Sequence, residues 1–176
     1  MHGRYLGDSY DLVKRVLCQA LCPVGPLYAH PRFIPAGIQV QYTTVTSIPI
    51  LNLHAPPNGA YGLFLDPHTG IPLPDKSVTK ATASHAPLPF IIEVICSLRP
   101  AYVVCFDQSY HRRPEFTVAQ QRACKQAFLR DHGISSFYYL SHAPFLFMAE
   151  TQTGLVAVRQ RLLDFGIPLE RLGTQV

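Results

Sequence analysis

A chain of 176 residues with 48% hydrophobic content can fill one core and is too short for two comfortable ones, so residues 1–176 are expected to form a single α/β domain. No run reaches the roughly 18 apolar residues of a membrane span, the N-terminus lacks a secretion-signal pattern, and an odd set of five cysteines fits a reducing compartment, which together point to a cytoplasmic protein with no membrane partner. The formal charge of +4 favours an anionic ligand, nucleic acid or nucleotide, although the basic residues are scattered apart from His111-Arg112-Arg113 and Arg159/Arg161.

Asp8 or Ser9 can cap a helix over Tyr10 to Leu21, with Leu12, Val13, Val16, Leu17 and Ala20 as its apolar stripe. Pro23 and Gly25 stop it, and an extended segment, Pro26 to His30, follows. The run Val40 to Thr46 is β-rich and predicts a weaker strand leading into Ile48 to Leu53, where Pro49 argues for an edge or a break. Ala55-Pro-Pro-Asn-Gly59 is a turn before a strong strand at 61–66. Residues 69–84 lack periodicity and are expected to form a long loop over the strand ends. A buried helix from Pro89 to Leu98 precedes a second strong strand at 101–106. Thr117 to His132 is helical and stops at Gly133. Strands at 137–140 and 145–149 and a helix from Leu155 to Phe165 complete the chain. Cys96 and Cys105 lie in apolar stretches, where a free thiol acts as a small hydrophobe.

Strands alternating with helices imply crossovers, so the expected fold is a Rossmann-like three-layer sandwich: a mostly parallel sheet with an antiparallel C-terminal hairpin. Three apolar runs each end on polar residues: Asp66-Pro67-His68, Asp107-Gln108-Ser109 and Ser141-His142. Sheets of this class bind ligands beyond the carboxyl ends of their strands.

The order of elements resembles class I methyltransferases, which carry an Asp-Pro-Pro-Tyr-like tetrad after the fourth strand; the matching residues here are Leu65-Asp66-Pro67-His68. Gly7-Asp8-Ser9-Tyr10-Asp11-Leu12-Val13-Lys14 resembles the Gly-Asn-x-x-Asp-x-x-Lys helix of ribosomal-RNA adenine-N6 methyltransferases. It is also similar to uncharacterised bacterial proteins that pair Gly-Asp-x-x-Asp-x-x-Lys with an Asp-Pro-Asp-x-Gly segment. The resemblance implies the fold, a nucleic-acid substrate and Asp66-Pro67-His68 at the reaction centre. It implies S-adenosylmethionine less, because Tyr28 to Phe33 carries prolines and no Gly-x-Gly, and Thr69 follows His68 where the family has its base-clamping aromatic.

Asp8, Asp11, Asp66 and Asp107 fall at element ends that one sheet would bring to one rim. Asp8, Asp66 and Asp107 could hold Mg²⁺ or Mn²⁺, hard cations that take oxygen ligands, although Asp66 could equally cap a turn. Asp66, His68, Asp107 and His142 are the candidate catalytic residues, the histidines as proton carriers or as half-buried hydrogen-bonding groups. Lys14, Ser109, His111 and Arg112 are candidates for substrate contact, with Lys14 alternatively a surface partner of Asp11. Ser109 and Ser141 lie outside any Gly-x-Ser-x-Gly context, and Cys18 and Cys22 lack further ligands at zinc-site spacing. The leading expectation is a metal-dependent phosphodiesterase or nuclease-like hydrolase. The alternatives are a divergent nucleic-acid methyltransferase and a non-catalytic binding module on a methyltransferase-like fold.

Overall fold

The computed structural model describes residues 6–74, 80–110 and 116–174. Its elements are α1 (Ser9–Leu21), β1 (Leu27–Ala29), α2 (Gln39–Thr46), β2 (Gly62–Leu65), α3 (Leu88–Leu98), β3 (Tyr102–Phe106), α4 (Val118–Asp131), β4 (Ser135–Tyr139), β5 (Phe145–Ala149) and α5 (Gln152–Asp164). The strands form one sheet in the order β1-β2-β3-β5-β4, flanked by the helices. β2, β3 and β5 are buried along their whole length, which explains their unbroken apolar sequences.

The sheet is mixed: β1, β2, β3 and β4 run the same way and β5 alone runs against them. β1, β2 and β3 run parallel, whereas β5 is antiparallel to both β3 and β4, so the two senses have two pairings each. The short connection from β4 allows only an antiparallel return, and β5 enters between β3 and β4 instead of adding at the edge.

The β-rich run at 40–46 is the clearest departure from the sequence reading, because it forms helix α2. The helix buries Tyr42 and Thr46, one turn apart. Its threonine hydroxyls bond back one turn, Thr44 Oγ1 to Val40 O at 2.9 Å and Thr46 Oγ1 to Tyr42 O at 2.8 Å. Tertiary burial has overridden the β propensity of Val and Thr. The α1 stripe is also rotated from expectation: Leu12 and Val16 are exposed, while Asp11, Lys14, Leu17, Ala20 and Leu21 are buried. Cys105 is buried, but Cys96 is exposed.

Each sheet edge is bridged at one end by a further segment of the chain. Beyond β1, Ile50 bridges Ala29 in parallel, and Ala29 N donates to Pro49 O at 2.8 Å. Beyond β4, Leu172 bridges Tyr139. These contacts also fix the winding. The chain leaves β1 through α2 toward Ile50, away from β2, and leaves β2 through α3 toward β3, away from β1. The direction of travel therefore reverses between β1 and β2. No helix among the described residues is long and apolar enough to cross a membrane.

Candidate functional site at the carboxyl rim

The Gly-Asp-x-x-Asp-x-x-Lys segment folds as a helix start that aims a lysine at the end of β2. Asp8 Oδ1 accepts from Tyr10 N at 2.9 Å and Asp11 N at 3.2 Å, capping α1. Gly7, at φ 89°, takes a left-handed conformation and donates its N–H to Asp11 Oδ2 at 2.7 Å. Lys14 Nζ donates to Asp11 Oδ1 at 2.9 Å and to Asp66 Oδ2 at 2.8 Å. All three charged side chains are buried, so the weak surface pair allowed by the sequence is not what forms. Burial pulls the Lys14 pKa down, but the Asp66 and Asp11 charges outweigh it and hold the ammonium above its ordinary value. Tyr42, brought in by α2, places its ring 5.8 Å from Nζ.

Asp107 builds a separate buried network. Its Oδ1 accepts from Ile71 N at 2.9 Å, Ser109 N at 3.2 Å and Lys125 Nζ at 3.0 Å. Its Oδ2 accepts from Lys125 Nζ and from Tyr138 Oη, each at 2.7 Å. Lys125 also donates to Ser109 O at 2.9 Å. Burial lowers the Lys125 pKa against the opposing pull of Asp107, and burial pushes the Tyr138 phenol well up. Gly70, the glycine of the Asp-Pro-x-x-Gly segment, sits against this network at φ 126°, where an added Cβ would lie 2.5 Å from Asp107 Oδ1. The sequence reading missed Lys125 and Tyr138. The signal for Lys125 was a pair of polar residues, Gln121 and Lys125, on the same helical stripe as the core residue Leu129.

The two aspartates have different hydrogen-bond partners. Leu65 is in register with Cys105, so Asp66 continues opposite Phe106 and Asp107 lies one residue further on. Successive side chains leave a strand on alternate faces. Asp66 meets Lys14 of α1, whose Tyr10 packs on Phe106 with ring centres 5.6 Å apart, whereas Asp107 meets Lys125 of α4 and Tyr138 of β4. Asp8 caps α1 through Oδ1. Asp8, Asp66 and Asp107, the expected metal ligands, thus each take hydrogen bonds from other groups, Asp8 and Asp66 around the start of α1 and Asp107 around Lys125. Among the described residues, no three His, Cys, Asp or Glu side chains gather as a metal-holding group.

The remaining candidates are dispersed. His68 is half-buried, and its N–H donates to Ala83 O at 3.0 Å. Ser109 contributes its backbone to the Asp107 network. Ser141 Oγ closes a turn with Ala143, and Cys18 Sγ donates to Ser47 O. His142 is exposed and lies against Tyr10, ring centres 5.5 Å apart. Gln108, given no role in the sequence reading beyond its place in the cluster after β3, donates from Nε2 to Tyr10 Oη at 2.8 Å and to His142 O at 3.1 Å. His111 and Arg112 lie outside the described residues.

At the reversal between β1 and β2, the turn after β1 spends its donors on β2 and on itself. His30 N donates to Phe64 O, Arg32 N to His30 Nδ1, Phe33 N to His30 O and Ile34 N to Pro31 O, while Pro31 has no N–H. His30 is buried, and desolvation, with a smaller contribution from Arg32, lowers its pKa to about 4. The Arg32 guanidinium donates to Ala81 O through Nη2 at 2.6 Å and Nε at 3.3 Å, tying the segment before α3 to this turn.

Compared with known proteins, the chain matches no family model, no curated protein and no solved structure.

Proposed function

We propose that this chain is a nucleic-acid-binding module built on a methyltransferase-like sheet, with its ligand lying across the carboxyl rim of β1, β2 and β3. The observation that carries the reading is the reversal of winding between β1 and β2, the position at which open α/β sheets leave a ligand crevice. The insertion of β5 between β3 and β4, together with Asp66-Pro67-His68 at the end of β2, supports the methyltransferase-like character that the motifs suggest. The net charge of +4 suits a polyanionic partner.

Binding is favoured over catalysis because the groups that would do chemistry have other partners. A metal-dependent phosphodiesterase needs carboxylate oxygens open to an ion, and those of Asp107 accept from Ile71, Ser109, Lys125 and Tyr138. Lys14 would have to leave two carboxylates to meet phosphate. A methyltransferase needs backbone approach to its cofactor after β1, and the Arg32, Phe33 and Ile34 amides are bonded within their own turn.

Calorimetric titration with short single-stranded RNA, Mn²⁺ and S-adenosylmethionine, each alone, tests the reading. We expect RNA to bind without metal and with a strong salt dependence. Tight binding of Mn²⁺ or S-adenosylmethionine without RNA binding would replace this reading by one of the enzymatic ones.

A further inference from the structure

We infer that Tyr10, Gln108 and His142 form a ledge that receives one unstacked nucleobase through its hydrogen-bond donor edge, an inference that rests on the nucleic-acid reading above. Three elements converge to build it. Tyr10 comes from the first turn of α1, Gln108 from the end of β3 and His142 from the β4–β5 connection. The imidazole lies against the phenol with ring centres 5.5 Å apart and planes inclined by 31°, and the phenol is backed edge-on by Phe106 at 5.6 Å. His142 is exposed, as the outer member of a stacking surface for a base must be.

The amide of Gln108 gives the ledge a hydrogen-bonding edge. Nε2 has two N–H groups, and both are used, one to Tyr10 Oη and one to His142 O. A backbone carbonyl can only accept, which settles the side on which the nitrogen lies. Gln108 N donates to Thr69 O at 2.9 Å, so the backbone that carries the side chain is itself anchored. Oε1 is therefore held in place with no described residue donating to it. A fixed acceptor beside an aromatic pair suits a planar heterocycle with a donor edge, which adenine, guanine and cytosine supply through their amino groups and uracil through its ring N3–H. Such fixed polar groups beside aromatic planes are how single-stranded bases are held. The His142 backbone carbonyl bonds Gln108, while its ring contributes only stacking, so replacing the ring tests the ledge without removing the anchor.

The test compares two fluorescently labelled probes by anisotropy: short single-stranded oligoadenylate and an abasic strand of the same length. For the parent protein we expect tighter binding of oligoadenylate. His142→Ala should lose about tenfold on oligoadenylate, the scale of one stacked base, with no change on the abasic strand, and His142→Phe should restore the loss. Gln108→Ala should also weaken only the base-bearing probe. Equal affinity of the parent for both probes, or an equal loss on both in His142→Ala, would overturn the ledge and leave the nucleic-acid reading standing. Failure of the parent to bind either probe would overturn the nucleic-acid reading itself.

Discussion

Lys14 Nζ lies 2.8 Å from Asp66 Oδ2, a buried ion pair that ties the second turn of α1 to the end of β2 across 52 residues of sequence. Asp11 shares the same ammonium, so one cation serves two buried carboxylates. Replacing Lys14 by Met leaves both acids without their partner. We expect a loss of about 3–5 kcal/mol, the usual result of breaking a buried pair, measured by chemical denaturation. Asp66→Asn in the Lys14→Met background should recover part of it. A Lys14→Met protein as stable as the parent would mean that the pair contributes nothing to the fold.

His30 gives a pH dependence with a defined sign. Its folded-state pKa of about 4 lies below the ordinary 6.5, so between those values the unfolded chain binds the extra proton. Stability is then complete above 6.5 and falls as the pH drops toward 4, by about 3 kcal/mol in total. His30→Asn keeps a side-chain acceptor for Arg32 N and does not titrate. Denaturation curves across this range should show a shallower acid loss in the variant; parallel curves would assign the loss to other groups.

Gly70→Ala tests the contact between the loop after β2 and the Asp107 network. The substitution combines a φ of 126° with a Cβ only 2.5 Å from Asp107 Oδ1. We expect a cost of about 3 kcal/mol from strain and overpacking. Near-ultraviolet circular dichroism should change too, because Tyr138 and Tyr110 surround Asp107 and Lys125. An unperturbed tyrosine spectrum with parental stability would contradict the tight packing.

Local chemistry was legible where it is self-contained. Asp8 caps α1, α4 begins directly after Thr117, and the apolar runs at β2 and β3 stop at Asp66 and Asp107 as expected. What the sequence could not show depends on long-range pairing. Which face Asp107 takes relative to Asp66 follows from the Leu65 to Cys105 register, which no local pattern encodes. The partner of Asp107 lies 18 residues away on α4, and Tyr138 lies 31 away on β4. α2 was misread because Val and Thr favour strands, whereas burial of Tyr42 beside Lys14 decides the element.

Hydrogen exchange of the protein with and without single-stranded RNA tests the location of binding most directly. We expect RNA to slow exchange in the amides of residues 8–14, 66–71, 107–110 and 140–143, the segments that meet at the carboxyl rim. Protection confined to α2 and the neighbouring edge at 48–51, or to α5, with the rim unchanged, would contradict a rim-binding module.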